Sequence, residues 1–188
     1  MILNYVSCKS NHYQFIVQIF SLIQSYVFYI IFPSDTKTVC EIGFNAGHST
    51  LVWLESNPNV HVYTFDINGH PYTAPMVAYL QKTYPGRLTE HFGDSLTTVP
   101  QDSEKLKGKC DIVIVDGRHD KHYPRQDIVN MKKISHNDSL LIVDDTARTK
   151  GADFILNVVN TLVKENYLDT VFMCTNQKDR GFSAFTYR

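Results

Sequence analysis

The chain predicts a doubly wound α/β domain on a mostly parallel sheet, with helices on both faces, and three observations predict it. Short apolar, β-branched runs alternate with helical stretches from about residue 36 to the carboxyl terminus. Several runs end in a carboxylate, as residues 110–116 and 139–145 do. The last two runs, Leu168–Cys174 and Phe182–Tyr187, are joined by the polar stretch 175–181, which predicts an antiparallel final strand. At 188 residues, 43% hydrophobic and 20% charged, the chain is long enough for one full-sized core.

Residues 37–42 read as the first strand, followed by a glycine-bearing turn and a helix over 47–56. Gly43 and Gly47 bracket the turn, where a missing Cβ permits a sharp bend and close approach of a ligand. Asn57-Pro58-Asn59 closes the helix, and His61–Asp66 alternates as a second strand. A helix over 74–84 ends at Pro85-Gly86, and 87–92 gives a third strand that turns at Gly93-Asp94-Ser95. Residues 101–109 are polar and read as an exposed connection before the strand 110–116. Pro124 suits the first turn of a helix reaching about residue 134. The strand 139–145, a helix over 153–165 and the closing pair of strands complete the order.

Ahead of this domain (36–188), residues 1–35 are expected to hold one apolar helix. No Asp, Glu, Lys or Arg occurs from Ser10 to Ser34, so residues 13–33 also suit a membrane anchor. Only about five residues, at most roughly 17 Å, separate this segment from the first core strand, which favours a helix packed on the domain. The four cysteines, Cys8, Cys40, Cys110 and Cys174, have no ligand-like spacing. Most sit in apolar runs, so buried thiols, a reducing compartment and a cytoplasmic location are expected. The sequon Asn137-Asp138-Ser139 is weak evidence the other way. A net charge of −1 without a basic stripe excludes bulk attraction to nucleic acid. The oligomeric state is left open.

Ligands of such sheets bind outside the carboxyl ends of the strands, where Glu41, Asp66, Asp94, Asp116, Asp144 and Asp145 gather. Asp66 follows Glu41 by about twenty-five residues, as an acid that accepts the ribose hydroxyls of an adenosine ligand does. A helix cap or turn is the plainer role for Asp66 and Asp94. The dinucleotide fingerprint is broken, since Asn45 stands at its middle glycine. Glu41 would repel a pyrophosphate but suits the cationic amino acid end of S-adenosylmethionine.

The motifs Glu41-Ile42-Gly43-Phe44-Asn45-Ala46-Gly47-His48-Ser49, Asp66, Gly93-Asp94-Ser95 and Asp116-Gly117-Arg118-His119 resemble, in order, those of class I S-adenosylmethionine-dependent methyltransferases. With Val143-Asp144-Asp145 and the Arg180-Gly181-Phe182 turn, they are most similar to methyltransferase domain family 24, related to macrocin and catechol O-methyltransferases. That resemblance implies a Rossmann-like seven-stranded sheet with an antiparallel last strand. It implies that Glu41, Gly43, Asn45 and Gly47 line the methionine end of the cofactor and that Ser49 holds its carboxylate. Asp66 would bind the ribose, Asp94 and Ser95 would face the adenine, and Asp116 would touch the cofactor.

In metal-dependent members, acids matching Asp116, Asp144 and Asp145 bind a divalent cation, and three oxygen ligands suit Mg²⁺ or a similar ion. His119 falls where the catechol enzymes carry a catalytic lysine and is expected to act as general base; His48 and His122 are weaker candidates. Arg118 departs from the acid common at its position. The function implied is metal-assisted methylation of a hydroxyl on a small-molecule acceptor. Two alternatives remain: a non-catalytic S-adenosylmethionine-binding protein and a nucleotide-dependent oxidoreductase.

Overall fold

A computed structural model describes residues 35–120, 122–147, 153–175 and 181–188. The expected apolar helix of residues 1–35 lies outside the described residues, apart from Asp35. No described helix is long and apolar enough to cross a membrane. The described elements are β1 (Thr38–Ile42), α1 (His48–Ser56), β2 (His61–Asp66), α2 (Thr73–Thr83), β3 (Leu88–Phe92) and α3 (Ser95–Leu106). They continue with β4 (Cys110–Val115), α4 (Tyr123–Lys132), β5 (Ser135–Asp144), α5 (Phe154–Lys164), β6 (Leu168–Cys174) and β7 (Phe182–Tyr187).

The strands form one sheet in the order β3-β2-β1-β4-β5-β7-β6. The pairs β1–β2, β1–β4, β2–β3 and β4–β5 are parallel, while β7 is antiparallel to both neighbours. The expected fold class is therefore the observed one. Alternate strand residues share a face. Cys40 and Ile42, Val113 and Val115, and Leu141 and Val143 all enter the core cluster with Val99 and Leu106 of α3, Ile128 and Met131 of α4, and Val159 and Leu162 of α5. Each fully buried large aliphatic side chain contributes about 1.5–3 kcal/mol of hydrophobic stabilisation.

Three local expectations are corrected. The stretch 101–109 is not an open connection: α3 runs through it to Leu106 and tolerates Pro100. Asp94 starts that helix by accepting the Leu96 N–H at 2.9 Å, and burial of Thr98, Val99 and Leu106 outweighs the polar composition. The fifth strand starts earlier than residue 139. Its register against β4 steps from Cys110↔Ser135 to Ile112↔Leu140, so β5 spends five residues where β4 spends two and bulges outward.

The third correction concerns the cysteines. Cys40 and Cys110 are joined in a disulfide with their Cα atoms 5.8 Å apart, where thiols were expected. The two residues are 70 apart in sequence, and only the adjacency of β1 and β4 brings them together. Cys174 is a buried thiol, as expected, and Cys8 lies outside the described residues.

Candidate active site

Strands β2 and β3 extend the sheet on one side of β1, and β4 and β5 extend it on the other, so the chain reverses direction between β1 and β4. That switch point opens a crevice at the carboxyl ends. Gly43 leaves β1 there with φ +99° and donates its N–H to the Phe65 carbonyl at 2.9 Å. A Cβ on Gly43 would meet the Asp116 carbonyl oxygen at 2.0 Å. The turn continues through Asn45 (φ 51°) to Gly47 (φ 77°), which caps α1, and the buried Phe44 ring anchors it beneath Gly47.

Asp66 ties this turn to β2. Its two oxygens accept the Asn45 N–H at 2.8 Å and the Asn68 N–H at 2.6 Å. Asn45 is held from the other side as well: Tyr72 donates to its Oδ1 at 2.8 Å, and Thr73 donates to its carbonyl at 2.9 Å. The expected ribose acid is thus also the knot of the turn. Replacing Asp66 with Ala removes the knot together with the acid expected at the ribose, and S-adenosylmethionine affinity is expected to fall about tenfold or more. Calorimetric titration checks this.

Glu41 sits one residue before the strand end and is 1% exposed, so it does not face open solvent. Ser49 donates to Oε2 at 2.7 Å and Thr50 donates to Oε1. The Ser49 hydroxyl is therefore given to Glu41, where a grip on a cofactor carboxylate was expected. Burial raises the Glu41 pKa from 4.5 to about 7, against the lowering effect of its hydroxyl donors and with a small further rise from Asp116. An acid whose folded pKa is raised keeps its proton in the folded state while the unfolded chain has lost it. Stability from this group is full below about pH 4.5 and declines as pH rises through about 7, by about 3 kcal/mol in all. Glu41→Gln, neutral at every pH, should flatten that decline, as denaturant titrations at pH 5 and pH 8 would show.

On the far side of the crevice, Asp94 both caps α3 and accepts the Tyr123 hydroxyl at 2.9 Å, which raises the Tyr123 pKa. Ser95 donates to Asp127 Oδ1 at 2.8 Å. Asp127 is not among the site residues expected from the sequence. It is fully buried on α4, its Oδ2 has no partner among the described residues, and burial raises its pKa to about 6. A signal existed: Asp127 shares the buried stripe of Pro124, Ile128 and Met131. A carboxylate on the apolar stripe of a helix needs a partner.

Beyond the ends of β4 and β5, Asp116, His119 and Asp145 each offer a ligand atom, all within 4.8 Å of one another. The His119 ring lies between the acids, with Nε2 3.6 Å from Asp116 Oδ1 and Nδ1 3.4 Å from Asp145 Oδ2. Its pKa is raised, chiefly by the neighbouring Asp116 carboxylate, so the imidazole holds its proton to higher pH. Asp145 has φ +54°, a conformation that costs a non-glycine residue energy and often marks working sites. Asp144, the last residue of β5, lies outside this group, and so do the exposed His48 and His122. Arg118 pairs with Asp120 and lies over the Tyr123 ring, 4.8 Å from its centroid.

The family model described as a methyltransferase domain, number 24 of its series, matches residues 40–146. The chain belongs to methyltransferase domain family 24. This family-24 chain is an S-adenosylmethionine-dependent methyltransferase. No curated protein matches its sequence. Among solved structures it is similar to the SAH-bound methyltransferase PaMTH1 of Podospora anserina, at 13% identity and TM-score 0.68, covering 97% of this chain and 100% of that one. It is similar to the O-methyltransferase TomG of Streptomyces achromogenes, solved with SAM, at 15% identity and TM-score 0.67, covering 89% and 78%. The N,N-8-amino-8-demethyl-D-riboflavin dimethyltransferase RosA of Streptomyces davawensis gives 14% identity and TM-score 0.64, covering 92% of this chain but 56% of that one. At these identities the likeness is one of fold, and it agrees with the strand order of this family-24 sheet.

Proposed function

We propose that this methyltransferase transfers the methyl group of S-adenosylmethionine to a hydroxyl oxygen of a small molecule with the help of a divalent cation. The observation that carries the reading is the Asp116, His119 and Asp145 group at the mouth of the crevice. The carboxylates of Asp116 and Asp145, on two adjacent loops, would hold a single cation beside the His119 ring, with Asp144 next to them at the end of β5. A cation held there would supply positive charge beside the acceptor hydroxyl and lower its pKa. The sulfonium of the cofactor supplies the methyl group.

The protein's own residues do the rest. The Asn45–Asp66 knot sets the shape of the turn on which the cofactor rests. Asp116 and Asp145 orient the His119 ring, which is then placed to take the hydroxyl proton as general base. Because those acids raise its pKa, His119 becomes a competent base only as pH rises. Net charge −1 and the absence of a basic stripe in the sequence favour a small acceptor over nucleic acid.

The test is titration of the full chain with S-adenosylmethionine, with and without Mg²⁺, followed by turnover on a panel of hydroxylated small molecules with chelator controls. Cofactor binding together with chelator-sensitive turnover supports the reading. Turnover that survives chelation removes the cation from it, and tight cofactor binding with no turnover on any acceptor favours a binding protein.

A further inference from the structure

We infer that Asn137 is an acceptor for N-linked glycosylation. The inference is independent of the methyl-transfer reading and joins three observations that point the same way. The first is the sequon Asn137-Asp138-Ser139 itself, a triplet too common to carry weight alone. The second is where the fold puts it. The register of β5 against β4 jumps from Ser135 to Leu140 at this point, so the triplet lies on the outward bulge with Asn137 and Asp138 exposed.

The bulge is held from below and leaves Asn137 outside. The Ser139 hydroxyl accepts the His136 N–H at 2.7 Å and donates to the Cys110 carbonyl at 2.7 Å, while the Asp138 N–H donates to His136 Nδ1 at 3.2 Å. The glycan would leave from the amino-terminal end of β5. The regular part of the strand from Leu140 to Asp144, four steps or roughly 13 Å, lies between the bulge and the crevice. A sugar chain at that end does not obstruct the cofactor.

The third observation is the disulfide between Cys40 and Cys110, one residue of which lies directly under the bulge. Disulfides form and persist where the compartment is oxidising, which in eukaryotic cells is also where lipid-linked oligosaccharide is transferred to asparagine. In the transfer, Asn137 Nδ2 forms a bond to the anomeric carbon of a polyprenyl-diphosphate oligosaccharide. The carbon–oxygen bond to the diphosphate breaks, the lipid diphosphate leaves, and the amide gives up one proton.

The experiment expresses the full chain in eukaryotic cells and treats the purified protein with an amide-cleaving N-glycosidase. Expected are a discrete loss of apparent mass and conversion of Asn137 to Asp in the peptide map. Asn137→Gln should show no such loss and keep its cofactor affinity, whereas Ser139→Thr preserves the sequon and should keep the glycan. Alkylation without reduction should label Cys174 in the unfolded chain and spare Cys40 and Cys110. An unmodified Asn137 in the full chain overturns the inference, whatever the state of the cysteines.

Discussion

Gly43→Ala is expected to cost this domain several kcal/mol and to close its cofactor crevice. The added Cβ would lie 2.0 Å from the Asp116 carbonyl oxygen and 2.7 Å from its carbonyl carbon. Both are backbone atoms, so no side chain can rotate out of the way. The position also needs φ +99°, outside the range an alanine adopts without strain. Backbone strain of roughly 1–3 kcal/mol adds to roughly 1–3 kcal/mol of overpacking. In a domain of this size that lowers Tm by about 10 °C. Relief requires the β1 and β4 loops to part, which moves the Asp116 segment away from the cofactor turn. Thermal denaturation with and without S-adenosylmethionine measures both effects. A variant that melts like the parent and still binds cofactor would show that the two loops do not meet as described.

That contact explains what could be read from the sequence and what could not. The alternation of runs such as Cys110–Val115 with helical stretches carries the sheet, because strand and helix periods are local properties of the chain. Gly43, Asn45, Gly47 and Asp66 were legible for the same reason: turn chemistry and strand ends are written in neighbouring residues. The Cys40–Cys110 bond was not, since it depends on which strands lie side by side. Asp127 was missed because its partner, Ser95, lies on a different helix. His119 was legible as a candidate base, yet its placement between Asp116 and Asp145 follows from the meeting of two loops separated by a full crossover. The helix through residues 101–106 was misread because polar composition is local, whereas the burial of Val99 and Leu106 that outweighs it depends on the packing of the fold.

Asp116→Ala separates the side chain from the backbone that Gly43 contacts, and it is expected to remove turnover while leaving the fold intact. Asp116 is exposed, and its N–H still donates to the Ile42 carbonyl at 3.0 Å in the variant, so the loop keeps its path. What disappears is the carboxylate that lies 3.6 Å from His119 Nε2 and that would share a cation with Asp145. Loss of a positioned proton acceptor alone lowers rates by about 10²–10⁴-fold, and loss of a cation ligand compounds it. Cofactor affinity should move only a few-fold, so kcat should fall with the binding isotherm nearly unchanged. His119→Gln, which removes only the base, should lose less and keep its response to added cation. Parallel loss of S-adenosylmethionine binding in Asp116→Ala would reassign this acid as a cofactor contact. Unchanged turnover would remove the cation, and the role given to His119, from the mechanism.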